Sequence, residues 1–170
     1  MERKGLFSFM KDVRQLVLVS LSISLYVVLS LFTIYFTKEI RISFTFVPLA
    51  WSAAAFGPVA GAFTGAFGDV LAWIVKPAGP YFPGFTISGI VSGIIYALFM
   101  YKKPLTWWRV ALTSLLYILV VEVGLNTLWL SVLYGTPFLL LLPTRLVKIP
   151  LSLLFHVVLL SGTGYYLVSV

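Results

Sequence analysis

Runs of about twenty apolar residues recur from one end of this chain to the other. As a helix rising about 1.5 Å per residue, a run of that length crosses a hydrocarbon core about 30 Å thick. In lipid every backbone N–H and C=O must be paired internally, so apolar runs of this kind leave little choice but a bundle of helices. The composition agrees, with 61% hydrophobic and 10% charged residues in 170 and a mean hydropathy of +1.06. A water-soluble domain with that surface would precipitate.

An all-α membrane protein of six transmembrane helices is therefore expected, over about Val13–Phe36, Phe44–Phe56, Val59–Val75, Ile87–Tyr101, Trp107–Leu133 and Pro143–Val168. The breaks are chemically distinct: the charged Lys38-Glu39-Ile40-Arg41, then Gly57-Pro58, Lys102-Lys103-Pro104 and Tyr134-Gly135-Thr136-Pro137. The third and fourth helices are short, which suits tilted helices or helices lining a cavity. Residues 1–170 read as one integral membrane domain. Met1 to Arg14 is charged and leads into a run too long for a signal h-region, so the first helix is expected to be retained.

Positive charge sets the orientation, because loops rich in Lys and Arg stay in the cytoplasm. With six spans both termini share a side, and that side holds Arg3, Lys4, Lys11, Arg14, Lys102, Lys103 and Arg109, seven of the twelve basic residues. Both termini are expected in the cytoplasm of a cell whose plasma membrane the chain crosses several times. Nucleic acid is not an expected partner. Three of the remaining cations, Lys76, Arg145 and Lys148, fall at or inside the outer ends of the third and sixth helices, where charge is costly without an anionic partner.

Several chemistries are set aside by what the chain lacks. Without cysteine, and with His156 its single histidine, it offers no metal centre. It has no G-x-x-x-x-G-K-[ST] loop for nucleotide phosphates and neither G-x-S-x-G nor H-E-x-x-H, and no motif recurs between its halves. No cofactor and no catalysis are expected, and a binder remains.

Its candidate site is intramembrane. Glu122 and Asn126 stand four residues apart on the fifth helix, with Trp129 a turn further out. Arg145, Lys148, Ser152 and His156 form a polar stripe on the sixth, and Asp69 falls near mid-membrane on the third. Two carboxylates thus face several cations. They serve either as interhelical ties or as ligand groups; the second reading is preferred because ionisable residues inside a membrane are functional by default. Carboxylates would take a ligand's amino or amide edge, and Lys and Arg its carboxylates. Glu122 is favoured for the edge over Asp69, whose neighbours Gly65 and Gly68 suggest helix contact. Tyr81, Phe82 and Phe85 suit either a pocket wall or an interfacial belt. His156 reads as a satisfied inner histidine rather than a catalytic one. Gly61, Gly65, Gly68, Gly89 and Gly93 need mean no more than close helix packing.

The stretch Gly57-Pro58-Val59-Ala60-Gly61-Ala62, then Gly68-Asp69, then Gly79-Pro80-Tyr81-Phe82-Pro83-Gly84-Phe85-Thr86-Ile87-Ser88-Gly89 and Gly93-Ile94-Ile95-Tyr96 resembles the folate-specific S components of energy-coupling factor (ECF) vitamin transporters. Pro143-Thr144-Arg145-Leu146-Val147-Lys148 looks like the start of their sixth helix. The resemblance implies a high-affinity folate-binding subunit that works with a transmembrane coupling protein and two cytoplasmic ATPases. Folate's pterin edge would meet a carboxylate, and its glutamate tail would suit Arg145, Lys148, Lys76 or Arg41. Many S components dock through an A-x-x-x-A pattern in the first helix; this chain has Ser20 and Ser24 there. Alternatives are a stand-alone proton-coupled carrier and an S component for another vitamin such as pantothenate.

Overall fold

The computed structural model describes residues 12–35, 41–77 and 79–168, with side chains except at 34–35, 41–42 and 164–168. Six helices follow in order: α1 (Val13–Leu31), α2 (Phe46–Phe56), α3 (Pro58–Val75), α4 (Pro83–Met100), α5 (Trp107–Tyr134) and α6 (Phe138–Val168). All but α2 are long and apolar enough to cross a membrane. Between α1 and α2, strand β1 (Ile34–Tyr35) pairs antiparallel with β2 (Arg41–Ile42), setting Ile34 opposite Ile42.

Gly57 and Pro58 divide α2 from α3 by complementary means. Gly57 takes a φ of 96°, which a residue with a Cβ adopts only under strain, and Pro58 opens α3 where its missing N–H has no intrahelical partner to lose. The two helices then pack side by side, tied by a buried 2.7 Å hydrogen bond between the Ser52 and Thr64 hydroxyls.

Small residues set the tightest contact in the bundle, between α3 and α4. A methyl group added at Gly61 would lie 2.8 Å from the Gly93 carbonyl oxygen, and one at Gly65 would run into the Gly89 backbone. Between membrane helices, where lipid is as apolar as leucine, such close approach is a main source of attraction. Gly65→Ala is accordingly expected to cost about 1–3 kcal/mol through overpacking. Gly162→Ala, which meets nothing within 4 Å, serves as its control. Thermal unfolding in detergent measures both, and equal midpoints would show that the crossing tolerates separation.

Tyr26 of α1 covers the opposite side of α3, its ring lying over Gly68. The buried core joins α2, α4, α5 and α6 through Phe46, Leu49, Ala53, Tyr96, Val110 and Leu160. Outside it, Leu and Val side chains such as Val17, Leu21 and Val28 on α1 are exposed, as a lipid-facing surface requires.

The helices depart from the sequence reading chiefly in four places. The first helix stops at Leu31, not Phe36: the Phe32 N–H turns back to the Leu29 and Ser30 carbonyls, and the chain enters the hairpin. The next departure is α4, which starts at Pro83 rather than Ile87, with the proline in the first turn where its ring fits. Likewise α6 starts at Phe138, five residues before Pro143, and keeps Pro143 and Pro150 inside it. Internal prolines are tolerated in membrane helices where neighbours satisfy the freed carbonyls. The last departure is in α5, which loosens over Ile118–Leu125 into π-helical geometry, with Asn126 N–H reaching the Val121 carbonyl five residues back.

Candidate ligand-binding site

A cavity of about 240 Å³ opens inside the bundle near the end where α1, α3 and α5 finish and α2, α4 and α6 begin. Its charged residues stand at different depths. Counting helical rise, Asp69 lies about two turns below the end of α3 and Glu122 about three and a half turns below the end of α5. On α6, Arg145 lies about two turns and Lys148 about three turns below the start. Glu122 and Lys148 therefore sit at the floor, Asp69 and Arg145 higher, and Lys76 and Tyr81 at the rim.

At the floor, Lys148 Nζ donates to Glu122 Oε2 at 3.3 Å. The π-helical stretch carries Glu122, a common location for such a departure in functional helices. Asn126, one turn outward, also lines the cavity, and its Oδ1 is buried without a hydrogen-bond partner among the described residues. Arg145 is buried at 6% exposure and lines the same space.

Nearer the rim, Asp69 Oδ2 accepts a 2.8 Å hydrogen bond from the Thr86 hydroxyl, which is also 2.8 Å from the Tyr81 hydroxyl. Lys76 Nζ, at the exposed end of α3, donates to the Leu31 carbonyl at 3.0 Å. Aromatic rings form much of the wall between these levels. Phe82 meets Phe85 edge-on at 6.1 Å between centroids and Trp129 at 5.7 Å, while Trp129 Nε1 donates to the Ser88 hydroxyl at 3.0 Å. Trp73 packs on Tyr81 at 5.3 Å.

Nine of the sequence-derived residues thus line one cavity: Asp69, Lys76, Tyr81, Phe82, Phe85, Glu122, Asn126, Arg145 and Lys148. The Arg41 side chain lies outside the described residues. Ser20 and Ser24 stand away from the cavity on an exposed face of α1, their hydroxyls donating to the Leu16 and Ser20 carbonyls.

Three readings need correction. The glycines beside Asp69 do mark helix contacts, but Gly65 meets α4 and Gly68 meets Tyr26, and Asp69 itself reaches the cavity. Lys148 and Glu122, weighed as ligand groups or as an interhelical tie, do tie α6 to α5 at 3.3 Å, and the pair lines the cavity. His156 is not fully satisfied: its Nε2 is buried without a hydrogen-bond partner among the described residues.

Sequence reasoning missed Thr86, Ser88 and Trp73. Neutral hydroxyls carry little signal alone, although Ser88 and Ser92, four residues apart in an apolar helix, were a detectable pair.

An aromatic slot with a carboxylate and a cation at its floor and a second carboxylate and cation higher up can hold a flat molecule that bears both N–H donors and anionic groups. The chain also matches the family "ECF transporter, substrate-specific component" over residues 14–163. This chain is an ECF substrate-specific component.

The S component is similar to the folate transporter FolT of Clostridium novyi (strain NT), 37% identical over 153 residues that cover 90% of this chain and 89% of the relative. FolT of Leuconostoc mesenteroides subsp. mesenteroides is 34% identical over 143 residues, covering 81% and 77%. A crystal structure of FolT bound with folic acid superposes with a TM-score of 0.81 at 34% identity, covering 92% of this S component and 93% of that chain. The six-helix membrane fold read from the apolar runs is the fold of that structure. As a substrate-specific component, the S component is a transport subunit and not an enzyme.

Proposed function

We propose that this S component captures folate from the outer face of the cell membrane and releases it inward. A transmembrane coupling subunit and two cytoplasmic ATPases would assist the release. The observation that carries this reading is the cavity itself: a floor carboxylate, an aromatic slot and a buried arginine in one space, in a chain whose relatives are folate transporters. Folate's pterin presents adjacent amino and amide N–H groups that a carboxylate accepts as a pair. Its rings are flat enough to slide between Phe82, Phe85 and their neighbours, and its glutamate ends in two carboxylates.

In this pose Glu122, with Asn126, takes the pterin edge at the floor. Lys148 supplies the counter-charge beside it at 3.3 Å. Arg145 and Lys76, placed higher, meet the tail, and Asp69 with Thr86 supports the middle of the slot. Both termini face the cytoplasm, which leaves the basic Lys102, Lys103 and Arg109 inside and the mouth of the cavity outside. The exposed Ser20 and Ser24 face of α1 serves as the docking surface for the coupling subunit.

Protein purified from cells without added vitamin is expected to carry a ligand that shows a pterin absorbance spectrum on release. A tightly held molecule without a pterin chromophore would assign the site to another vitamin. Folate accumulation by the S component alone in vesicles under an ion gradient would instead make it an independent carrier.

A further inference from the structure

Glu122 and Lys148 also form part of the wall of a second, much smaller space of about 10 Å³, bounded on its inner side by Ser152 and His156. That volume is about what one water molecule needs. His156 does not line the ligand cavity; it stands two turns deeper on α6 than Lys148, its ring stacked on Phe46 at 3.6 Å between centroids.

The hydrogen bonding of His156 leaves one choice of proton. Its Nδ1 lies 2.7 Å from the Ser152 carbonyl oxygen, and a carbonyl only accepts, so Nδ1 carries the hydrogen. In a neutral ring Nε2 is then an acceptor. This Nε2 is buried, with the residue 4% exposed, and has no hydrogen-bond partner among the described residues. The Glu122 carboxylate across the same small space, ion-paired with Lys148, is likewise an acceptor. Two acceptors cannot bond each other. A water molecule, with two O–H donors, satisfies both.

We propose that one buried water bridges His156 Nε2 to the Glu122 carboxylate, making His156 a positioning residue for the ligand-binding carboxylate. The carboxylate is then held from behind by the water and from the side by Lys148, so its remaining lone pairs are aimed into the ligand cavity before ligand arrives. This rests on Glu122 being the group that meets the pterin edge, but the water bridge itself can be tested without any ligand.

Because the chain has a single histidine, labelling the imidazole with ¹⁵N gives one pair of ring-nitrogen signals. The expected result for the ligand-free protein is a protonated Nδ1, an unprotonated but hydrogen-bonded Nε2, and a cross-peak from the ring to a bound water. Glu122→Gln should move the Nε2 signal while leaving the tautomer intact. A ring protonated at Nε2, or an Nε2 signal that does not respond to Glu122→Gln, would overturn the bridge. For positioning, His156→Phe keeps an aromatic ring on Phe46 and removes the Nε2 acceptor together with the Nδ1–H bond to the Ser152 carbonyl; folate affinity is expected to fall roughly tenfold at unchanged stoichiometry. Unchanged affinity in a folded His156→Phe would overturn the positioning role. If that variant does not fold, the response of Nε2 to Glu122→Gln decides. Absence of folate binding in the unmutated protein would refute the folate assignment and leave the nitrogen signals to judge the bridge.

Discussion

Glu122→Gln is expected to weaken folate binding by about 3 kcal/mol, roughly a hundredfold. The amide presents one acceptor and one donor where a pterin edge needs two acceptors, so one hydrogen bond is lost and a donor is set against a donor. The change also removes the Glu122 charge from its 3.3 Å pair with the buried Lys148. Removing one member of a buried pair costs about 3–5 kcal/mol of stability, whereas neutralising both is often close to neutral. The double variant Glu122→Gln with Lys148→Met therefore separates the two roles. It should unfold near the temperature of the unmutated protein in detergent and still bind folate far more weakly. Normal folate affinity in that double variant would reduce the pair to an interhelical tie.

Arg145→Ala carries the second large effect, and its signature is selectivity. Arg145 is 6% exposed and stands about a turn nearer the mouth than Lys148, where a glutamate tail would pass. Losing a charge-assisted hydrogen bond to one tail carboxylate should cost about 1.5–3 kcal/mol, roughly ten- to a hundredfold in folate affinity. A pterin that lacks the glutamate should bind nearly as before. Competition binding with the two ligands measures the ratio, and equal losses would mean that Arg145 supports the fold and does not read the tail. Lys148→Ala is a poorer probe of the same question, because it strands Glu122.

Much of this was readable from residue types because membrane burial makes charge conspicuous. Asp69, Glu122, Arg145 and Lys148 had to be either paired or functional once their runs were recognised as helices, and glycines spaced one turn apart signalled close helix packing without naming α3 and α4 as the pair that meets. Less visible were features that depend on contacts distant in the chain. Ile34 and Ile42 pair across a hairpin, but an isoleucine beside an apolar helix looks like more helix. Pro143 resembles a helix start, and only the helical turn from Phe138 shows otherwise. The π-helical stretch of α5 has no distinctive composition, since Val120, Val121 and Val123 suit an ordinary membrane helix equally well. Asp69 was placed second because its glycine neighbours suggest helix contact rather than an open pocket. Gly65 lies four positions before Asp69 and Gly68 only one, about 100° around the helix, so the two glycines contact different partners, α4 and Tyr26, while the carboxylate still reaches the cavity.

Titration of the purified, ligand-depleted S component with folate, in detergent and without ATP or partner proteins, tests the assignment of this cavity most directly. Isothermal calorimetry should show tight binding at one folate per chain, abolished or strongly weakened in the Glu122→Gln and Lys148→Met double variant. No heat and no displacement of labelled folate, from a protein with an intact thermal transition, would contradict it.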